Sequence, residues 1–309
     1  MNICPITYRP CGNKKYSENG LKLLSPKLEN LNDLPLSQED QLKEAATRAV
    51  KMSIQGVQPK LSAKLKVKEE KFEIVDKGGV YILKPQNNFY PELPENEDLT
   101  MRLAKLIDIE VPLHGLVYSI DDRFTYFIKR FDRYGKNKKL SLEDFAQLAG
   151  KSRETKYDFS MEKIIPLLER HCTFPLLEKI KLFKLTLFNY LIGNEDMHLK
   201  NYSIISRNNK IELAPAYDLL NTTIASKNIT EEIALPISGK KSNLTSKVLI
   251  KYWGKERLKL NENVMNQIIE EIKKVQSKWE ELIKISFLSK TMKEKYLDLL
   301  DTRRTRLNI

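Results

Sequence analysis

Residues 192–220 contain the side chains whose types and spacing are best suited to chemistry. Asp196 and Asn201 lie five residues apart in a polar segment, and Asp218 follows a predicted β-hairpin over residues 202–214. A hairpin brings the residues before its first strand close to those after its second strand, so we expect Asn201 and Asp218 to converge. Carboxylate and amide oxygens suit Mg²⁺, which keeps water and phosphate oxygens as its other ligands. Asp196 would then lie where a base can take a proton from a hydroxyl group.

The catalytic loop of protein kinases has the same spacing, with an Asp, an Asn five residues later and a second Asp after a hairpin. There the first Asp accepts the proton of the acceptor hydroxyl, and the other two residues hold the metal. The alternative is an Asx-rich turn without a catalytic role, since Asp and Asn are frequent in turns. His198 lies in the same segment, and the chain has no Gly-x-Ser-x-Gly nucleophile motif. We therefore expect His198 to support the loop or contact phosphate.

The first half of the chain supplies residues that could bind phosphate groups. The small-residue segment 53–60 opens a predicted strand, and backbone N–H groups in such a loop can cradle phosphates. Lys84 ends another predicted strand, in the position of the strand lysine that pairs with nucleotide phosphates, although a solvated edge lysine gives the same pattern. Glu97, in the predicted helix that follows, would hold Lys84 as an ion pair. Three other carboxylates compete for this pairing, namely Glu92, Glu95 and Asp98.

The elements that must position these residues change in character along the chain. The first 36 residues show no regular pattern and are expected to be loosely structured. Runs rich in β-formers then extend to about residue 131. One predicted helix, over residues 37–50, precedes these strands, and a second, over residues 94–107, lies between them. After about residue 140 the pattern predicts helices over 141–150, 161–171, 175–194 and 264–282. Pro166 is expected to kink or break the second of these helices.

This change predicts an α+β protein with two lobes. We assign residues 1–36 to an N-terminal extension, 37–135 to a β-rich N-lobe and 136–309 to a mostly helical C-lobe. Residues 127–133 connect the two lobes as a hinge, and the backbone of this hinge could bind the edge of an adenine.

The composition excludes several classes of protein. The 309 residues are 41% hydrophobic and 30% charged, which is typical of a globular chain and argues against disorder. Three Cys cannot form a disulfide framework and suit a reducing, cytoplasmic location. Cys4 and Cys11 are separated by six residues with no His nearby, which argues against a structural zinc site. No apolar run approaches the length of a membrane span.

The net charge of +12 is concentrated at one end of the chain. Residues 240–309 include 17 basic and 9 acidic residues, and so carry +8 of that excess. A basic surface attracts nucleic acid or acidic partners, but a solvated lysine-rich helical face gives the same composition.

Taken in order, several segments resemble the HipA-type serine/threonine kinase toxins of bacterial toxin–antitoxin systems. These segments are Gly-Val-Gln-Pro-Lys-Leu-Ser (56–62), Tyr-Ile-Leu-Lys-Pro-Gln (81–86), Ile-Lys-Arg-Phe-Asp-Arg (128–133), Gly-Asn-Glu-Asp-Met-His-Leu-Lys-Asn (193–201) and Leu-Ala-Pro-Ala-Tyr-Asp (213–218). The resemblance implies a two-lobed, protein-kinase-like (HipA-like) fold. Because the phosphate loop begins only about 50 residues into the chain, the sequence is similar to the short HipT toxins, which lack an N-terminal subdomain.

The resemblance also implies roles for individual residues. Asp196 would be the catalytic base, Asn201 and Asp218 would hold Mg²⁺, and Ser53 would be autophosphorylated. ATP would be bound by residues from the loop, the strand, the hinge and the catalytic segment: Gln55, Gly56, Val57, Gln58, Lys60, Lys84, Lys129, Phe131, His198, Lys200, Asn201, Tyr217 and Asp218. The second loop serine of short relatives is replaced by Gln55.

The same resemblance implies partners. These are a helix-turn-helix HipB-like antitoxin, a separate small HipS-like subunit and an aminoacyl-tRNA synthetase as substrate. DNA would be contacted only through the antitoxin, and no membrane partner is expected. Two alternative functions remain open: a small-molecule kinase, and a non-catalytic nucleotide-binding subunit of a DNA-binding repressor complex.

Overall fold

The computed structural model describes residues 1–49, 58–135, 138–226 and 230–309. The predicted loop residues Ser53, Gln55, Gly56 and Val57 lie outside this part of the chain. The chain divides into two compact units. Unit 1 comprises Met1–Leu99, Pro112–Asn137 and Ile285–Leu288, and unit 2 comprises Thr100–Val111, Lys138–Lys284 and Ser289–Ile309. The lobe boundaries predicted at residues 36 and 135 stay predictions.

The N-terminal segment of unit 1 is folded and buries many of its apolar side chains, so the expectation of a loose extension is wrong. It forms β1 (Asn2–Ile3), β2 (Pro10–Gly12) and α1 (Glu18–Leu24). Its apolar side chains join one core with residues of the later strands: Cys4, Ile6, Tyr16, Leu21, Leu24, Leu28, Leu31 and Leu34 are all buried there. Leu21 and Leu24 share one face of the short helix α1, but Leu28, Leu31 and Leu34 lie in a segment that is neither helix nor regular strand, so periodicity did not predict their burial.

Helix α2 (Gln38–Ala49) is anchored to unit 1 by two buried amides. The Gln38 side chain donates to the Phe124 carbonyl oxygen at 3.0 Å and accepts from the Gln86 backbone N–H at 2.8 Å. The Gln41 side chain donates to the Ser119 hydroxyl at 2.8 Å. Since buried amides must be hydrogen-bonded, these contacts fix the start of the helix against the sheet described next.

A five-stranded antiparallel sheet forms the centre of unit 1, with the order β4-β3-β5-β7-β6. The strands are β3 (Leu61–Lys66), β4 (Lys71–Ile74), β5 (Tyr81–Lys84), β6 (His114–Tyr118) and β7 (Phe124–Lys129). The register pairs Lys84 with Tyr126 across β5 and β7, so Lys84 ends a central strand rather than an edge strand. Helix α3 (Leu93–Lys105) follows β5, and a two-residue strand, β8 (Arg133–Tyr134), comes after the sheet.

Unit 2 is mostly helical around a small three-stranded sheet. Its elements are β9 (Lys138–Lys139), β10 (Leu142–Asp144), α4 (Phe145–Leu148), α5 (Met161–His171), α6 (Pro175–Ile192), β11 (Ser203–Arg207), β12 (Lys210–Leu213), α7 (Thr222–Ala225), α8 (Glu262–Lys274), α9 (Gln276–Ile285) and α10 (Lys290–Leu307). A π-helix spans Lys247–Arg257, and 3₁₀ turns span Val67–Glu69 in unit 1 and Leu199–Asn201 in unit 2. Helix α6 is buried on most faces, as its apolar sequence predicts.

Three helix predictions in unit 2 differ from the structure. The helix predicted from residue 141 begins only at Phe145, because Leu142–Asp144 pair with β11 and Asp144 caps α4 in a capping box. Pro166 does not interrupt α5, which runs from Met161 to His171. The apolar stripe over 264–282 is divided between α8 and α9, with the break at Val275.

Within the described ranges, no helix combines the length and the apolar character that a membrane span requires.

Candidate active site

The segment after α6 in unit 2 is fixed by its backbone and by buried amides. Gly193 ends α6 with a φ of +70°, and a Cβ there would lie 2.5 Å from both Leu299 Cδ2 and Thr223 Oγ1. Only glycine suits this left-handed conformation and this close packing. The next residue, Asn194, is buried, donates to Asn189 Oδ1 at 3.0 Å and accepts from the Asp196 backbone N–H at 3.2 Å. The backbone that carries Asp196 is therefore held in place.

Asp196 and Asn201 are brought together by this segment. The Asn201 side-chain amide donates to the Asp196 carbonyl oxygen at 2.9 Å. Because that bond uses the amide nitrogen, Oδ1 of Asn201 points away from the Asp196 carbonyl group. This oxygen is the atom of Asn201 that could bind a metal. The Asp196 side chain is 54% exposed, and its Oδ1 accepts a hydrogen bond from the Tyr157 hydroxyl. An exposed carboxylate next to a fixed loop can receive a proton from an incoming hydroxyl group.

The predicted hairpin is formed by β11 and β12, and its two-residue turn at Asn208 and Asn209 has positive φ at both positions. This is the turn geometry that twists with the strands and that Asn accommodates well. Beyond β12, the Tyr217 hydroxyl donates to the Lys200 carbonyl oxygen at 3.0 Å and lies 2.5 Å from the Ser203 hydroxyl. Tyr217, which directly precedes Asp218, is therefore attached to Lys200, which directly precedes Asn201.

Asp218 itself has a φ of +55°, a left-handed conformation that Asp adopts more readily than most non-glycine residues. The Tyr217 hydroxyl is used in closing the hairpin, and burial raises its pKa. A nucleotide contact by Tyr217 stays a prediction.

His198 is buried beside Asp196, and its environment includes two residues that the sequence analysis missed. The Lys156 ammonium lies 2.8 Å from His198 Nε2, and the Tyr157 ring packs edge-on against the imidazole at 5.1 Å between centroids. Burial lowers the pKa of His198, which favours the neutral imidazole, and a neutral ring can accept from Lys156 at Nε2. Nδ1 then carries the ring proton, and no partner for it lies within the described residues. This buried donor fits a phosphate oxygen.

Lys84 and Glu97 form a buried ion pair in unit 1. Their side chains are 5% and 1% exposed, and Lys84 Nζ lies 2.6 Å from Glu97 Oε1. Of the competing carboxylates, Asp98 contacts His114 instead, with Oδ1 of Asp98 2.8 Å from Nδ1 of His114. Burial raises the pKa of Glu95 to about 7. The pair holds the Lys84 ammonium in one position at the end of the central strand β5, and its contact with phosphate stays a prediction.

The remaining predicted nucleotide residues are placed as follows. Lys60 directly precedes β3, and Lys200 lies in the 3₁₀ turn. The Gln58 amide nitrogen is buried without a partner among the described residues. The Lys129 backbone N–H donates to the Leu113 carbonyl oxygen at 2.7 Å, so it is committed to the sheet and cannot donate to an adenine. For Phe131 the hinge role stays a prediction.

The donor set of unit 2 fits Mg²⁺ that is also held by a nucleotide. Asn201 and Asp218 supply hard oxygen atoms, and Mg²⁺ is bound in such sites by one or two carboxylates or amides together with substrate phosphates. Across residues 1–49, 58–135, 138–226 and 230–309 no group of three or more His, Cys, Asp or Glu side chains could hold a metal by itself.

Comparison with known proteins decides the family. The family model of the HipA-like C-terminal domain matches residues 52–279, which is more than half of the chain. The chain belongs to the HipA-like family. It is 31% identical to a putative kinase of Haemophilus influenzae over 99% of this chain and 97% of that protein. It is 29% identical to the serine/threonine-protein kinase toxin HipA of Shewanella oneidensis over 60% of this chain and 47% of that protein.

Solved structures share the HipA-like fold. The HipA chain in the Shewanella oneidensis complex of HipA, HipB and operator DNA matches 91% of this chain and 73% of its own length, with a TM-score of 0.70 and 23% identity. The Helicobacter pylori proinflammatory kinase CtkA matches 74% of this chain and 87% of its own length, with a TM-score of 0.55 and 17% identity. The predicted fold class is therefore confirmed.

Proposed function

We propose that this protein is an ATP- and Mg²⁺-dependent protein serine/threonine kinase that acts as the toxin of a toxin–antitoxin pair. The observation that carries the proposal is the arrangement in unit 2, where the Asp196 carboxylate projects from a rigid loop and the Tyr217 contact holds Asp218 to the segment of Asn201. The family relationship to HipA and to putative kinases supports phosphoryl transfer as the reaction.

Each residue would have a defined part in the transfer. Asp196 would orient the acceptor hydroxyl and take its proton as the new oxygen–phosphorus bond forms. Asn201 and Asp218 would bind Mg²⁺, which when bound neutralises charge on the β- and γ-phosphates. Lys84, held by Glu97, would contact the α- and β-phosphates. His198 would donate its Nδ1 proton to a phosphate oxygen.

The partners are proposed from the relatives and from the resemblance of the sequence. The related HipA of Shewanella oneidensis forms a complex with HipB and operator DNA, which supports a HipB-like, helix-turn-helix antitoxin here. DNA would then be contacted through that antitoxin. We further propose the HipT-like subtype with a separate HipS-like subunit, an aminoacyl-tRNA synthetase as the protein substrate, autophosphorylation of Ser53 and action in the cytoplasm.

The experiment that tests this function is incubation of the purified protein with γ-labelled ATP and Mg²⁺, in three parallel reactions. The first contains no other acceptor, the second contains bacterial lysate protein, and the third contains the small metabolites of the same lysate. We expect label on a lysate protein, mapped to a Ser or Thr by phosphopeptide mass spectrometry, and label on Ser53 in the first reaction.

Two outcomes would contradict the proposal. Label on a metabolite alone would identify a small-molecule kinase. Nucleotide binding without transfer to any acceptor would identify a non-catalytic subunit, for which the basic residues 240–309 would then be tested in DNA binding.

A further inference from the structure

The connection between α4 and α5 contributes two consecutive residues, Lys156 and Tyr157, to the candidate site. Lys156 Nζ contacts His198 Nε2 at 2.8 Å, and the Tyr157 hydroxyl donates to Asp196 Oδ1. The Lys156 carbonyl oxygen also accepts from the Leu199 backbone N–H at 3.4 Å. Side chains and backbone together therefore attach this connection to residues 196–199.

Lys156 is held there in a way that a surface lysine is not. Its side chain is half-buried, and its ammonium lies 4.9 Å from the centroid of the Tyr157 ring. The negative charges of Asp196 and Asp218 both act on this ammonium, and so do the positive charges of Arg153 and Lys200. Burial lowers the pKa of Lys156. Lys156 Nζ lies 2.8 Å from His198 Nε2, which is itself 4.0 Å from Asp196 Oδ1, so the cation lies beside the proposed base.

Phosphoryl transfer is favoured by a positive group next to the proposed base. In the transition state, negative charge is spread over the three equatorial oxygens of the transferring phosphoryl group, and catalysis depends on positioned cations and hydrogen-bond donors. A lysine ammonium has three N–H donors, and His198 accepts from only one of those of Lys156.

We propose that Lys156 is a catalytic residue whose ammonium contacts the γ-phosphoryl group during transfer. This inference rests on the proposed function. In the step, the oxygen of the acceptor hydroxyl forms a bond to the γ-phosphorus as its proton passes to Asp196. The bond from the γ-phosphorus to the bridging oxygen breaks, and its electron pair leaves with ADP. Lys156 neutralises the equatorial oxygens, and His198 holds the amine in position.

The test compares full-length wild-type protein with Lys156→Met, Lys156→Arg and a matched control, Lys163→Met. Lys163 is an exposed lysine of the same unit whose ammonium lies 5.7 Å from the Phe159 ring and takes no part in the site. For each protein we would measure the transfer rate, the thermal midpoint and two affinities by calorimetry. The two ligands are Mg²⁺-ADP and Mg²⁺-ADP with aluminium fluoride, which mimics the transferring phosphoryl group.

We expect Lys156→Met to lower kcat by roughly 10²- to 10³-fold, the usual loss for one donor to a developing oxyanion. Its affinity for the aluminium fluoride complex should fall, while its affinity for ADP alone should remain within about twofold of wild type, because Lys156 contacts only the transferred group. Lys156→Arg should recover at least part of both losses, and Lys163→Met should match wild type.

Two results would overturn the role of Lys156. One is equal transfer and equal aluminium fluoride affinity in wild type and Lys156→Met. The other is an equal loss of affinity for both ligands together with a lower thermal midpoint, which would mark a structural lysine. If the wild-type protein itself transfers no phosphoryl group and does not prefer the aluminium fluoride complex to ADP, then the proposed function fails and this inference fails with it.

Discussion

The buried pair of Lys84 and Glu97 allows stability and function to be separated. Glu97→Gln keeps the shape of the side chain but removes the charge 2.6 Å from an ammonium that is 5% exposed. Breaking a buried ion pair by removing one partner costs about 3–5 kcal/mol, because the other charge stays buried. Unfolding entropy of about 2.1 cal/mol/K per residue gives roughly 650 cal/mol/K for the whole chain. The thermal midpoint should therefore fall by about 5–8 °C.

The double variant Lys84→Met with Glu97→Leu gives the complementary result. Replacing both members of a buried pair by apolar residues of similar volume is often neutral for stability. We expect the double variant to recover most of the lost thermal midpoint but none of the phosphoryl-transfer activity, since the lysine is absent. Scanning calorimetry and the labelled-ATP assay measure the two properties on the same samples.

A matched control uses an exposed ion pair of the same unit. Lys43 and Glu39 are 67% and 77% exposed and lie 2.7 Å apart on α2, so Glu39→Gln should leave the midpoint unchanged within error. If Glu97→Gln also left the midpoint within 1 °C of wild type, or if the double variant retained full activity, our assignment of this pair would be wrong.

Three further predictions concern other residues of the two units. Burial raises the pKa of Glu95 to about 7, above its ordinary value. The stability that the protonated carboxyl contributes is therefore present at pH 4.5 and lost as the pH rises through about 7. In denaturant titrations, Glu95→Gln should be more stable than wild type at pH 8 and should lose that advantage by pH 5. Equal pH profiles would contradict this. Asp218→Asn tolerates the positive φ but weakens the proposed metal ligand, so calorimetry should show loss of the Mg²⁺-dependent part of ATP affinity alone. An unchanged dependence on Mg²⁺ would exclude Asp218 as a ligand. Tyr157→Phe removes the hydrogen bond to Asp196 but keeps the ring contact with His198, so kcat should fall about tenfold with an unchanged thermal midpoint, and full activity would show that Asp196 is oriented without Tyr157.

Local spacing predicted the hairpin between Asn201 and Asp218, which β11 and β12 form around the Asn-Asn turn. The roles of Asp196, Asn201 and Asp218 stay predictions. The side chain of Glu97, by contrast, could be distinguished from three neighbouring carboxylates only by the direction in which α3 presents it to the sheet. Periodicity does not fix that direction, because the competing residues lie within one helical turn or two.

Long-range contacts account for what the sequence analysis missed. Lys156 and Tyr157 reach the catalytic segment from about 40 residues upstream, and no spacing rule connects an irregular loop to a distant one. The N-terminal 36 residues are ordered by packing onto strands of unit 1, for example where the Leu34 backbone N–H donates to the Tyr118 carbonyl oxygen at 2.8 Å. Pairing with β11 similarly made Leu142–Asp144 a strand despite a helical pattern.

The central claim is that Asp196 is the base of a phosphoryl-transfer site, and one comparison tests it most directly. Transfer from labelled ATP would be measured for wild type, Asp196→Asn and Asp298→Asn, the last being an exposed carboxylate on α10 of the same unit. We predict that Asp196→Asn loses transfer to every acceptor while it binds Mg²⁺-ATP with wild-type affinity, and that Asp298→Asn behaves as wild type. Normal transfer by Asp196→Asn would contradict the account.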